Sequence, residues 1–103
     1  MKNQNELFGG YLLPTTNTEE VLLTLILQGS VSIFDFPYLS GFRTRVSNLS
    51  LVHGLKLERI LDKRTNKFGN SYSYAIHKLP EEEKENAINL YKKINKNYER
   101  STN

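Results

Sequence analysis

Apolar positions change period several times along this chain, and each change predicts an element. Leu22, Leu25 and Ile26 fall on one helical face, widened by Val21 and Leu23. A first helix is therefore expected from about Asn17, with Asn17 as cap, Glu20 in the capping-box position and Gly29 as the stop. Ser32 reads as the cap of a short helix from Ile33 to about Tyr38, with Pro37 confined to its opening turn. After the turn Leu39-Ser40-Gly41, a third helix is expected from Gly41 to Val52, capped by Ser40. Its inward stripe is Phe42, Val46, Leu49 and His53, and Gly54 closes it. The period then drops to two. Leu55 to Arg64 and Ser71 to His77 read as strands around the turn formers Thr65 to Asn70. Tyr72, Tyr74 and Ile76 share a face, which is assigned to the core rather than to base stacking.

Helical spacing returns after Pro80. Acidic residues Glu81, Glu82, Glu83 and Glu85 open the segment, and Lys92, Lys93, Lys96 and Arg100 close it, so both ends suit the helix dipole. Its narrow apolar stripe is Ala87, Tyr91, Ile94 and Tyr98. That stripe either packs back on the first helix or pairs with a second copy of the chain; the homodimer is the expectation. At the other terminus, Met1 to Thr16 is rich in loop residues and reads as a flexible arm whose apolar part docks on the domain. The order helix, short helix, turn, helix, β-hairpin predicts an α+β fold, a winged helix-turn-helix with three helices, a hairpin wing and an extra C-terminal helix. The expected organisation is arm 1–16, domain 17–78 and C-terminal helix and tail 79–103.

Composition narrows the class. At 103 residues with 38% hydrophobic content there is room for one modest core. The absence of cysteine excludes a disulfide framework and any cysteine-based site, and fits the cytoplasm. Val21 to Leu27 is the longest apolar run and is too short to span a bilayer, so no membrane is expected. The +3 net charge is unevenly spread: residues 42–78 carry eight cations against two carboxylates, while residues 1–41 are net acidic. Such a basic block suggests a polyanion-facing surface.

The candidate chemistry follows from these two patterns. In a helix-turn-helix the second helix enters the major groove. Opposite its inward stripe, the Gly41–Val52 helix presents Thr44, Ser47, Asn48 and Leu51, with Arg43 on one flank and Arg45 on the other, nearer the core. Arg43 or Arg45 can pair bidentately with guanine, Asn48 can pair with adenine, and Thr44 and Ser47 suit phosphates. Lys63, Arg64 and Lys67 crowd around the hairpin tip, where they suit the DNA backbone or a minor groove. His53 and His77 have no acidic neighbour at ligand spacing and are read as structural. No nucleophile–base pair, carboxylate pair or phosphate loop is present, so neither catalysis, a cofactor nor a metal is expected.

The segment from Gly41 to Leu57 also resembles a small helix-turn-helix family common in phage and prophage proteins. That pattern is carried here by Arg45, Val46, Leu49, Gly54 and Leu57, with Leu25, Gly29, Ser32 and Tyr74 matching its spacing. The resemblance covers about residues 17 to 78. It implies a winged helix and a sequence-specific, double-stranded-DNA-binding regulator of mobile-element type: a repressor, or an excision or architectural factor. The family usually carries a basic residue just after the leucine, where this chain has Ser50. The alternative is a winged-helix protein-interaction module, favoured by Leu51 and Phe68 if both are exposed.

Overall fold

Thr16, one residue earlier than expected, caps the first helix in the computed structural model, which describes residues 7–101. Helix α1 spans Asn17–Gln28, and the Thr16 hydroxyl accepts from the Glu19 amide at 3.1 Å. The capping pattern is displaced by one residue because Glu19, not Glu20, folds back, accepting from the Thr15 amide at 2.7 Å. Val21, Leu22, Leu23, Leu25 and Ile26 are all buried. A helix apolar around most of its circumference must be enclosed on several sides, and α1 packs against α2 (Phe42–Leu51), α3 (Lys84–Ile94) and the sheet. The C-terminal end of α1 is closed by the Gly29 amide donating to the Leu25 carbonyl at 2.8 Å.

The fold is mixed α+β, with four helices and a three-stranded antiparallel sheet among the described residues. A two-residue hairpin, β1 (Leu7–Phe8) and β2 (Tyr11–Leu12), precedes α1. Strand β3 (Ser30–Ser32) follows α1 and was not expected; only three residues long, it offers no visible alternation. The expected helix from Ile33 to Tyr38 contracts to a 3-10 turn, Ile33–Asp35. Ser32 does cap it: its hydroxyl accepts from the Phe34 amide, and Asp35 accepts from the Ser32 amide. Pro37 lies beyond this turn, where proline cannot donate to continue a helix. Strands β4 (Glu58–Thr65) and β5 (Ser71–Lys78) form a long hairpin, and the sheet order is β3-β5-β4.

Strand register decides which face of the sheet is internal. Val31 pairs with His77, and Arg59 pairs with His77 on the other side. Val31 is buried, so the internal face carries Val31 and His77. Facing residues along that side are Arg59, Leu61 and Lys63 on β4 and Ser73 and Ala75 on β5. Tyr72, Tyr74 and Ile76 occupy the opposite face, and the core assignment made for them is corrected: none belongs to the buried cluster. The alternation was legible, but helix docking selected the other face. Leu55, Leu57 and Leu79 bring the sheet's base into the core instead.

The C-terminal segment is divided. Pro80 leads into a 3-10 turn (Glu81–Glu83), then α3, and Asn95 breaks the helix with extended backbone before α4 (Lys96–Ser101). Ala87 and Tyr91 are fully buried inside the chain, against α1 and β2. The Tyr91 hydroxyl donates to the Leu12 carbonyl at 2.6 Å, and the Leu12 amide donates to the Tyr98 hydroxyl at 3.1 Å. The stripe Ala87, Tyr91, Ile94 and Tyr98 therefore packs back on its own chain, the other of the two readings, and Ala87 and Tyr91 are out of reach of the expected homodimer contact. Buried Asn95 donates to the Leu13 carbonyl and to Glu19, both at 2.9 Å. Leu12 is buried and Leu13 is bonded, so Tyr11 to Thr15 is docked; Met1 to Glu6 of the expected arm, and the Arg100 side chain, lie outside the described residues.

Candidate nucleic-acid interface

Helix α2 places most of the expected readers. Gly41, not Ser40, is its N-terminal boundary; Gly41 has no side chain to bond the first amides. Those amides therefore stay available at the positive end of the helix. Phe42, Val46 and Leu49 are buried as an inward stripe, with Phe42 stacked on Phe36 at 5.6 Å. Arg43, Thr44 and Ser47 are exposed on the outer side, and Asn48 is half-buried. His53 leaves the stripe: α2 ends at Leu51, and His53 is exposed in the turn that follows. That turn needs Gly54, whose φ of +75° lets the Leu55 amide reach back to the Leu49 carbonyl at 2.9 Å. Arg45 is half-buried, and its Nε is buried without a hydrogen-bond partner. It makes no bond to Asp35, whose carboxylate accepts from the Ser32 amide.

The hairpin separates residues that were expected to act together. Lys63 and Arg64 are consecutive on β4 and point to opposite faces. Lys63 lies on the side shared with Arg59 and His77. Arg64 turns to the other side, with its guanidinium 4.0 Å from the Phe34 ring centre and 5.6 Å from that of Tyr74. Phe34 and Tyr74 meet edge to face at 4.9 Å, and the Tyr74 hydroxyl donates to Asp62 at 3.2 Å. At the tip, the Asn66 side chain accepts from the Phe68 and Asn70 amides, and Lys67 lies 5.2 Å from the Phe68 ring. Strands of eight residues at roughly 3.3 Å each give an arm of about 26 Å, and all of β4 is exposed.

Arg59 is the residue the sequence reading missed. Burial lowers the His77 pKa below its ordinary value, and Arg59 and then Arg43 lower it further. Both guanidiniums thus lie close enough to His77 to act on it, one from β4 and one from the first turn of α2. The His77 ring itself packs against Phe42 at 5.9 Å. Arg59 was legible only as one more cation on an irregular strand; its pairing with His77 made it part of a cluster. Among the described residues, Arg43, Arg59 and Lys63 make no ion pair. The result is a set of cations without ion pairs on the His77 side of the sheet: Arg43 and Arg59 about His77, and Lys63 four residues further along β4.

Other chemistry has little to stand on here. No group of three or more His, Asp or Glu side chains that could hold a metal ion is present among the described residues. No described helix is long and apolar enough to cross a membrane. No family model, curated protein or solved structure matches the chain.

Proposed function

We propose that this chain is a winged helix-turn-helix protein that binds double-stranded DNA sequence-specifically, as a small cytoplasmic regulator of the phage or mobile-element type. The observation that carries the reading is that Arg43, Arg59 and Lys63, cations from two elements, share the His77 side of the sheet and make no ion pair among the described residues. Element order supports the fold: α1, β3, a short turn, α2 and a β4–β5 hairpin, with β3 beside β5. In this reading α2 enters the major groove. Arg43, Thr44, Ser47 and Asn48 face the base edges, and Arg45 holds phosphate or structure at the core edge. Arg59 and Lys63 meet the DNA backbone from the hairpin, while Lys67 extends the contact at the wing tip. Arg64, stacked on Phe34, is the member of the expected set least disposed to join them.

The reading is one of binding, not catalysis. The test is titration against random-sequence duplex DNA over a range of salt concentrations. Binding whose log-log salt slope is about −0.9 per phosphate contacted is expected. Binding that ignores salt, or no binding at low salt, overturns the proposal. That result would favour the second reading, a protein-interaction module, which Leu51 (85% exposed) and Phe68 (77% exposed) support as unburied apolar surface.

A further inference from the structure

The two outer edges of the long hairpin are protected unequally. Strand β4 presents Glu58, Arg59, Asp62, Lys63 and Arg64 along its length, the charge that discourages strand addition. Strand β5 from Ser71 to Ala75 carries no charge and no proline, only Ser, Tyr and Ala. Its neighbour β3 covers only Ile76, His77 and Lys78. Among the described residues, no backbone hydrogen bond outside the β4 ladder reaches Ser71 to Ala75. Half of that stretch's backbone donors and acceptors therefore face away from β4 with nothing paired to them.

A groove of about 280 Å³ runs along this edge. Its walls are Ile33 and Phe34 from the 3-10 turn and Phe42 and Arg43 from α2, and no β4 residue lines it. Ile33, Phe34 and Tyr72 are 50%, 38% and 41% exposed, so apolar surface is available on both sides of the strand edge. Arg43 contributes the groove's own cation, without an ion pair among the described residues.

We infer that the Ser71–Ala75 edge is a docking site for an extended segment of a partner protein, added antiparallel or parallel to β5, with apolar side chains against Ile33 and Phe34 and an acidic side chain on Arg43. Main-chain bonds to the strand supply affinity, and the alternating side chains supply choice. A second copy of the chain is the poorer occupant. Pairing β5 with β5 would present one chain's Ser–Tyr edge and Arg43 to the same residues, bringing like charges together rather than offering a carboxylate. The inference stands apart from DNA binding, though both use Arg43, so the occupant would compete with DNA for that residue.

The experiment is selection of random displayed peptides, about twelve residues long, on the full chain, followed by amide hydrogen exchange on the strongest binder. Enriched peptides are expected to alternate apolar residues with at least one Asp or Glu, and to slow exchange at alternate amides within residues 71–75. Arg43→Glu is expected to weaken that peptide about tenfold, and Arg43→Lys to restore most of the loss. Lys63→Ala, on the far strand, should weaken DNA and leave the peptide's affinity as it was, which separates this site from the DNA reading. No enrichment, protection elsewhere on the chain, or affinity indifferent to Arg43→Glu overturns the inference. So does protection of the same amides that grows with protein concentration and no peptide, which would assign the edge to a second copy.

Discussion

At one end of the molecule Tyr91, Asn95 and Glu19 are shut inside the chain, and their polar side chains find partners there: the Leu12 and Leu13 carbonyls, the Thr15 amide and one another. At the other end Arg43, Arg59 and Lys63 lie on the His77 side of the sheet with no ion pair among the described residues. The contrast separates structure from function. A buried polar group left unpaired costs stability outright, so the bundle end is complete in itself. An exposed cation costs little to leave unpaired, and repulsion among cations is tolerated where an anionic partner relieves it. Substitutions at the first end should therefore cost stability, and at the second binding.

Tyr91→Ala should give the largest effect, a loss of about 3–5 kcal/mol of unfolding free energy from the cavity left by a fully buried ring. Tyr91→Phe keeps the ring but leaves the Leu12 carbonyl unpaired, for about 1–3 kcal/mol. Urea unfolding measures both, and a Tyr91→Ala protein as stable as the parent would break the comparison at its firm end. Joint Arg43→Ala and Arg59→Ala should do the reverse. Affinity for duplex DNA should fall roughly 10- to 100-fold at low salt, with the log-log salt slope shallower by about 1 for the backbone contact of Arg59. The unfolding midpoint should barely move, since surface changes are usually within about 0.5 kcal/mol.

Thr16→Ala is a smaller probe and should cost about 1 kcal/mol as a lost helix cap, against little for Asn17→Ala. Equal costs would show that capping is shared by both residues. The smallest effect is a titration. The His77 pKa lies below its ordinary value near 6.5, first from burial and then from Arg59 and Arg43. A histidine whose folded pKa is depressed stabilises fully above its unfolded pKa, and that contribution is lost as pH falls from about 6.5 through the folded value. Followed by the NMR shift of the ring proton, the His77 pKa should rise when Arg59 becomes Ala. It should also rise on adding duplex DNA, whose phosphates would offset both guanidiniums. A pKa unmoved by either change would break the proposed grouping of Arg43 and Arg59 about His77.

Much of the helical framework could be read in advance because it rests on local rules. The apolar stripe of Phe42, Val46 and Leu49, the glycines that end α1 and α2, and the Ser32 cap each depend on residues within one or two turns. The errors share a cause as well. His53 continued the stripe in number but fell beyond the turn that Gly54 closes. The C-terminal stripe offered two burial partners, a second copy being the preferred one, and only β2, supplying the Leu12 carbonyl to Tyr91, turned it back on its own chain. Of the candidate site, Arg43, Thr44 and Ser47 were legible from helix phase, and all are exposed. Arg59 was not, because its importance rests on a strand partner distant in sequence.

Helix phase, the glycine stops and charge segregation were thus determined by the sequence alone, since each is settled by neighbours a few residues away. The tertiary structure decided which face of an alternating strand turns inward. Tyr72, Tyr74 and Ile76 looked like the face to bury, yet Val31 and the helices docked on the side of His77. Period-two alternation separates two faces without ranking them, and the choice falls to whichever face the rest of the chain can cover. That choice sets Lys63 and Arg64 on opposite sides, brings Arg59 to Arg43, and leaves the β5 edge open.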